Sequence, residues 1–232
     1  MPNSEESFRK NQKNEEERRF KVGDIVTFGS YPFYVDGEEE DIDWIILDID
    51  ADNNALLISD YALDNVSYFK QLEDVTWETS SIRQWLNNDF LNMAFTLEEA
   101  SKILATNVEN KDNQQFKIKG GNNTRDKVFL LSIEEAEKYF NNNEERIAYP
   151  TPYAMSYNSV NGDLSVDVNH FNKNRRGSCW WWLRSPGFKP NHAASVDYGG
   201  LVFVMGFHVL FADYGAVRPA LKINLNEWKL ME

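Results

Sequence analysis

The sequence predicts a single globular domain that mixes strands with helices, and three observations carry that reading. Short apolar runs at strand spacing, at residues 42–49 and 55–58, are followed by residues 81–92, where Ile82, Trp85, Leu86 and Phe90 recur at helical spacing. Thr-x-x-Glu at Thr96 and Ser-x-x-Glu at Ser132 have capping-box spacing and mark two further helix starts. The 232 residues include seven Trp and are 14% aromatic, too rich in large rings for a disordered chain, and no repeat or composition break divides residues 21–228.

Taken in order, residues 1–20 hold charged side chains around Phe8 and Phe20, too little apolar surface to offset ordering entropy, so a charged tail or solvated helix is expected. Folding is expected to begin at Val22, with Ile25, Val26 and Phe28 in a strand that ends at Gly29 before a turn at Tyr31-Pro32. Residues 42–49 and 55–58 flank the polar stretch 50–54 and read as a β-hairpin. Ile42, Trp44 and Ile46 share one face and Ile45, Leu47 and Ile49 the other, which suits a strand inside a sheet covered on both sides. Helices are expected over 81–92, from Thr96 through Ile103, and from Ser132 through Phe140. Between the last two, residues 111–127 read as a polar surface loop and 128–131 as a buried strand. Residues 141–178, rich in Asn, Ser, Pro and Tyr, suit an ordered functional loop or a run of short pieces.

Trp180, Trp181 and Trp182 follow, and since successive strand side chains alternate, one or two of them are expected in the core. Arg184 and Arg218 are assigned structural roles, ordering nearby carbonyls or pairing with an acid. Residues 201–205 and 207–211 are strand-like, with Gly206 making either a hairpin or a bulged, sharply bent strand.

Charge and motifs argue against several functions. A net charge of −13 without a clustered basic face argues against nucleic-acid binding. No apolar run has the length of a transmembrane helix and the first twenty residues do not read as a cleavable leader, so a soluble, cytoplasmic protein is expected, with export by another route left open. Cys179, the single cysteine, excludes an intrachain disulfide and a multi-thiolate metal site, and reads as a buried small apolar residue. His170, His192 and His208 have no zinc-ligand spacing, and Asp60, Asp64, Asp163 and Asp167 build no calcium loop. Asn161-Gly162-Asp163 reads as a turn and the acidic run 36–41 as a solvated face. Gly120-Gly121 lacks the strand-to-helix context of a phosphate cradle, and no G-x-S-x-G elbow occurs. No metal or cofactor is therefore expected, and enzyme function has no positive support.

The candidate contact residues fall within 188–214. Asn191, His192, Ser195, Asp197 and Tyr198 precede the two strand-like runs, Phe203, Phe207, His208 and Phe211 lie in them, and Asp213 and Tyr214 follow. This mixture gives rigid contact area with adaptable hydrogen bonding, as binding loops do. An ordinary turn-rich loop between strands has a similar composition.

Six pieces of sequence carry a resemblance. They are Phe28-Gly29-Ser30-Tyr31-Pro32, Trp44-Ile45-Ile46-Leu47-Asp48, Ser81-Ile82-Arg83-Gln84-Trp85-Leu86-Asn87, Asp126-Lys127-Val128-Phe129-Leu130-Leu131-Ser132, Trp182-Leu183-Arg184-Ser185-Pro186-Gly187 and Val217-Arg218-Pro219-Ala220-Leu221. With these the chain resembles, over residues 21–225, a bacterial and phage family of uncharacterised domains with a C-type-lectin-like fold, related to the formylglycine-generating enzymes. The resemblance implies an α+β domain with a mixed, mostly antiparallel sheet, two or more helices and long irregular insertions. Some relatives are variable proteins of diversity-generating retroelements, whose mutable ligand-contacting segment would correspond to 188–214 here. Departures narrow the inference: the related oxidases use a cysteine pair, which Cys179 alone cannot supply. The Glu-Pro-Asn, Gln-Pro-Asp and Trp-Asn-Asp motifs of calcium-dependent lectins are also missing. The reading that results is a non-catalytic recognition domain for a protein or glycan ligand. Its alternatives are an enzyme of unrecognised type on the same fold and an assembly domain working through residues 1–20.

Overall fold

The two-faced apolar pattern at 42–49 becomes the second strand of an antiparallel sheet in the computed structural model, which describes residues 20–156, 177–211 and 215–228. The sheet comprises β1 (Ile25–Pro32), β2 (Glu39–Ile49), β3 (Asn54–Ser59), β6 (Val128–Phe129) and β11 (Ala220–Asn224). Their spatial order is β1-β2-β3-β11-β6, and every neighbouring pair is antiparallel. A second sheet, ordered β10-β7-β8-β9, is built from β7 (Trp180–Pro186), β8 (His192–Val196), β9 (Val202–His208) and β10 (Gly215–Ala216). There β10 pairs parallel with β7 and the other neighbours are antiparallel. A small ribbon of β4 (Thr106–Val108) and β5 (Thr124–Asp126) completes the strands among the described residues. The class is α+β with mostly antiparallel sheets.

Both capping boxes form. Thr96 and Glu99 exchange side-chain and backbone bonds at the start of α3 (Leu97–Lys102), and Ser132 and Glu135 do so at the start of α4 (Ile133–Tyr139). The helix expected over 81–92 is interrupted. It runs as α1 (Ser81–Trp85), a π-helical turn over Leu86–Phe90, and α2 (Leu91–Ala94), with Ile82, Leu86 and Phe90 buried. Asn87 lies in the π turn and donates to Val128 O at 2.8 Å while accepting from Lys127 N at 2.9 Å, which ties the helix to β6.

Four local expectations are corrected. β1 does not stop at Gly29, because a bulge there, with Gly29 at φ 71°, bends the strand and lets it continue through Tyr31-Pro32. Residues 111–127 are not all surface loop. They contribute β5, whose Asp126 is buried and accepts from Trp77 Nε1 at 2.9 Å, Thr124 Oγ1 at 2.7 Å and Arg83 Nε at 2.7 Å. All three consecutive tryptophans are buried, because both faces of β7 are covered. Trp180 and Trp182 meet edge to face at 4.7 Å, while Trp181 donates from Nε1 to Arg146 O and faces the Arg218 guanidinium at 5.3 Å. Finally, residues 192–196, read as part of a polar loop, form β8, and Gly206 makes a bulged bend inside β9 rather than a hairpin.

The two arginines are structural. Arg184 is buried, donates to Leu130 O at 2.7 Å and Glu109 O at 3.0 Å, and pairs with Glu135, so it ties β7 to the strand before α4 and to α4's first turn. Arg218 donates from Nε to Ser59 O at 2.8 Å and lies between the Phe140 and Trp181 rings. Burial pulls its pKa down to about 10. Within 141–178 the described part holds α5 (Asn143–Arg146) and α6 (Pro152–Ser156). The expectations for residues 1–19, for Asp163, Asp167 and His170, and for Asp213 and Tyr214 lie outside the described residues. The last described element is α7 (Leu225–Trp228).

Candidate binding surface

The surface is organised by what lies beneath it. Cross-strand pairing places Trp182, Ser195 and Phe203 side by side on one face of the second sheet, because Ser195 pairs with both of the others. Trp182 and Ser195 are fully buried and Phe203 is half-buried, so the row runs from the interior toward the edge strand β9. On that edge Phe203 meets Phe207 at 5.3 Å, Phe207 stacks on Phe211 at 5.4 Å, and Trp180 lies against both Phe207 (4.7 Å) and Phe211 (5.9 Å). Phe211 is 40% exposed, and Leu201 just before β9, Met205 within it and Leu210 just after it are exposed as well. Large apolar side chains collected on one strand and its following turn form the kind of patch that marks an interaction site.

Where β8 begins and β9 ends, next to Phe207, His192 and His208 are directly paired, with ring centroids 5.3 Å apart. His192 Nδ1 donates to Asn191 Oδ1 at 2.8 Å, which leaves its Nε2 as an acceptor. His208 Nδ1 accepts from Leu210 N at 3.3 Å, so its Nε2 carries the proton; that Nε2 is buried and has no partner. The buried His208 Nε2 has no route to a surface ligand, so of these two ring atoms only His192 Nε2 remains a candidate contact. Burial, then the nearby His208 and Lys189, hold the His192 pKa below the usual histidine value, so it is neutral at pH 7. Metal ligation by both rings is disfavoured by this arrangement, since an Nε2 ligand on His208 would need Nδ1–H where Nδ1 instead accepts. Among the described residues no group of three or more His, Cys, Asp or Glu is placed to hold a metal ion.

The structure divides the candidate contact residues. Ser195 is fully buried with an unpartnered Oγ and has no route to a surface ligand. Asp197 is a turn former: its Oδ1 accepts from Gly199 N at 2.8 Å and Leu201 N at 2.9 Å, closing the β8–β9 connection. Tyr198 is half-buried against the core, and Ser178 Oγ donates to its carbonyl. Asn191, His192, Phe203, Phe207, His208 and Phe211 remain at least partly accessible and lie on or beside the β8–β9 pair. Leu201, Met205 and Leu210 belong with them and were not anticipated. The signal for the first two was present, since Leu201, Phe203, Met205 and Phe207 are spaced by two, the repeat of one strand face. Cys179 is buried, and its thiol is pushed up to about 12 by burial, so it is a packing residue and not a nucleophile.

Residues 52–225 match the domain family of unknown function DUF6273, well over half of the chain. The chain belongs to this family. The DUF6273 match begins in the β2–β3 turn and ends with the first residue of α7, so it takes in the second sheet and the whole candidate surface and leaves β1 and β2 outside. No curated protein and no solved structure matches the chain. No helix among the described residues is long and apolar enough to cross a membrane.

Proposed function

We propose that this DUF6273 chain is a non-catalytic recognition domain that binds a protein or glycan ligand through the outer side of β8 and β9. The observation that carries this reading is the partly exposed aromatic row Phe203, Phe207 and Phe211 along edge strand β9 and its following turn, with Phe207 and Phe211 against Trp180 and with Leu201 and Met205 exposed on the same segment. A rigid buried tryptophan layer beneath a ring-bearing edge favours binding, since little side-chain freedom is lost when a ligand is engaged. The C-type-lectin-like reading draws support from the six sequence pieces and from the mostly antiparallel α+β architecture. The relation to retroelement variable proteins is proposed on the same resemblance, and a reverse transcriptase gene beside a near-copy of the coding segment for 188–214 is the observation that tests it. A cytoplasmic location is likewise proposed from the sequence.

The direct test is a glycan and protein array probed with the purified chain, followed by Leu201→Ser, Met205→Ser and Phe211→Ser. These side chains are exposed, so loss of captured ligand with a melting temperature within about 2 °C of the parent is expected. Ligands bound equally by the parent and the triple variant would overturn the assignment of the surface.

A further inference from the structure

A second, chemically different surface lies on the first sheet, outside the DUF6273 match in its β1–β2 part. Where β1 ends, Phe33 packs edge to face against Tyr34 at 5.1 Å and against Tyr61 at 5.6 Å. Tyr149 is brought alongside by Ala62 N donating to its carbonyl at 2.9 Å, and Tyr153 N donates to Phe33 O at 2.9 Å. Tyr34, Tyr61 and Tyr149 are 41%, 39% and 45% exposed, so three tyrosine rings on adjoining segments stand open to solvent. The Tyr34 hydroxyl donates to Glu40 Oε1 at 2.6 Å, and Phe33 N and Tyr34 N donate to Glu38 O at 2.9 Å and 3.3 Å, so the acidic stretch Glu38 to Glu40 lies against these rings.

The stretch of chain that supplies Phe33, Tyr34 and Tyr61 carries charge of one sign. No lysine or arginine occurs in the sequence between Lys21 and Lys70, while Glu38, Glu39, Glu40, Asp41, Asp43 and Asp60 all fall there. Ring faces carry negative quadrupole density and attract a cation set above them. Carboxylates beside such rings accept paired N–H donors, and a planar guanidinium satisfies both demands at once by stacking on the ring while bonding the acid. The rings form an open surface bordered by the acidic strand β2, not an enclosed cage, which suits an extended segment better than a small quaternary ammonium ion.

We propose that the face around Phe33, Tyr34 and Tyr61 docks an arginine-bearing segment of a partner protein. The test uses the full chain and dye-labelled peptides of equal length made of arginine–glycine, lysine–glycine or glutamine–glycine repeats, with binding followed by fluorescence anisotropy at 0.15 M salt. The arginine peptide is expected to bind more tightly than the lysine peptide, and the glutamine peptide not to bind. Tyr34→Ala and Tyr61→Ala, which leave the net charge unchanged, are each expected to weaken the arginine peptide by about two- to fivefold. The double Tyr34→Phe, Tyr61→Phe variant keeps the rings and is expected to bind within twofold of the parent. Glu98→Gln with Glu134→Gln, neutralised on α3 and α4, serves as the remote charge control and is expected to bind as the parent does. Equal binding of arginine and lysine peptides, an alanine variant as good as the parent, or an equal loss in the remote control would each reduce the attraction to general charge and overturn the proposal.

Discussion

Ser195 shows how a residue type suited to binding ends up serving none. Its hydroxyl is fully buried between Trp182 and Phe203 in the cross-strand row and has no partner, so it bears a desolvation cost that nothing offsets. Ser195→Ala is expected to gain about 0.5–1 kcal/mol and to raise the melting temperature by about 2–4 °C, read by thermal denaturation. A loss instead would mean that the hydroxyl has a partner in solution. His192 makes a pH prediction. Its folded pKa lies below the unfolded value, so the unfolded chain binds more protons around pH 6, and this contribution is present above about pH 6.5 and is lost as the pH falls toward the folded value. Asp64 acts in the opposite sense. Burial raises its pKa even though Tyr31 OH donates to it at 2.5 Å, so the native state gains as the pH falls through that raised value. The two contributions are separated by comparing His192→Gln with the parent at pH 7.5 and pH 5.5: the variant is expected to lose less stability on acidification.

Elements differ in how far the sequence revealed them, and the difference is physical. The two capping boxes and the β2–β3 hairpin rest on contacts a few residues apart, and they form where their residues predict. β8 was not legible, because His-Ala-Ala-Ser-Val lacks alternating large side chains. Its buried Ala193, Ala194 and Ser195 are small, and large rings come from β7 and β9 on either side, which no local pattern announces. Half of the candidate surface was legible for a related reason: aromatic residues showed where contact area would be, while the burial of Ser195 and the turn role of Asp197 are set by pairing partners distant in sequence. The bulge in β9 is the element's weak point. Gly206 has φ 66°, and a Cβ there would lie 1.9 Å from Ala193 O, so Gly206→Ala is expected to cost about 2–4 kcal/mol and to disturb the aromatic row with it. Chemical denaturation with an aromatic fluorescence readout checks both effects. Glu135→Ala leaves Arg184 buried with carbonyl partners alone and is expected to lose about 3 kcal/mol, whereas replacing exposed Glu137 is expected to change stability by under about 0.5 kcal/mol.

At the scale of the molecule, a net charge of −13 with one long stretch free of cations means the native state carries appreciable self-repulsion. Raising sodium chloride from about 0.05 to 0.5 M is expected to increase the melting temperature by a few degrees by screening it. A fall would show that screened ion pairs outweigh the repulsion. The two sheets also divide the surface by chemistry, with apolar rings on β9 at one place and anionic tyrosine-bearing segments near the end of β1 at another. The position of β11 has one more consequence. It fills the slot between β3 and β6, pairing with both, although about two thirds of the chain is synthesised between β3 and it. A nascent polypeptide therefore has no native partner for the open edge of the β1–β3 meander until residues 220–224 leave the ribosome, which places completion of this sheet late in translation.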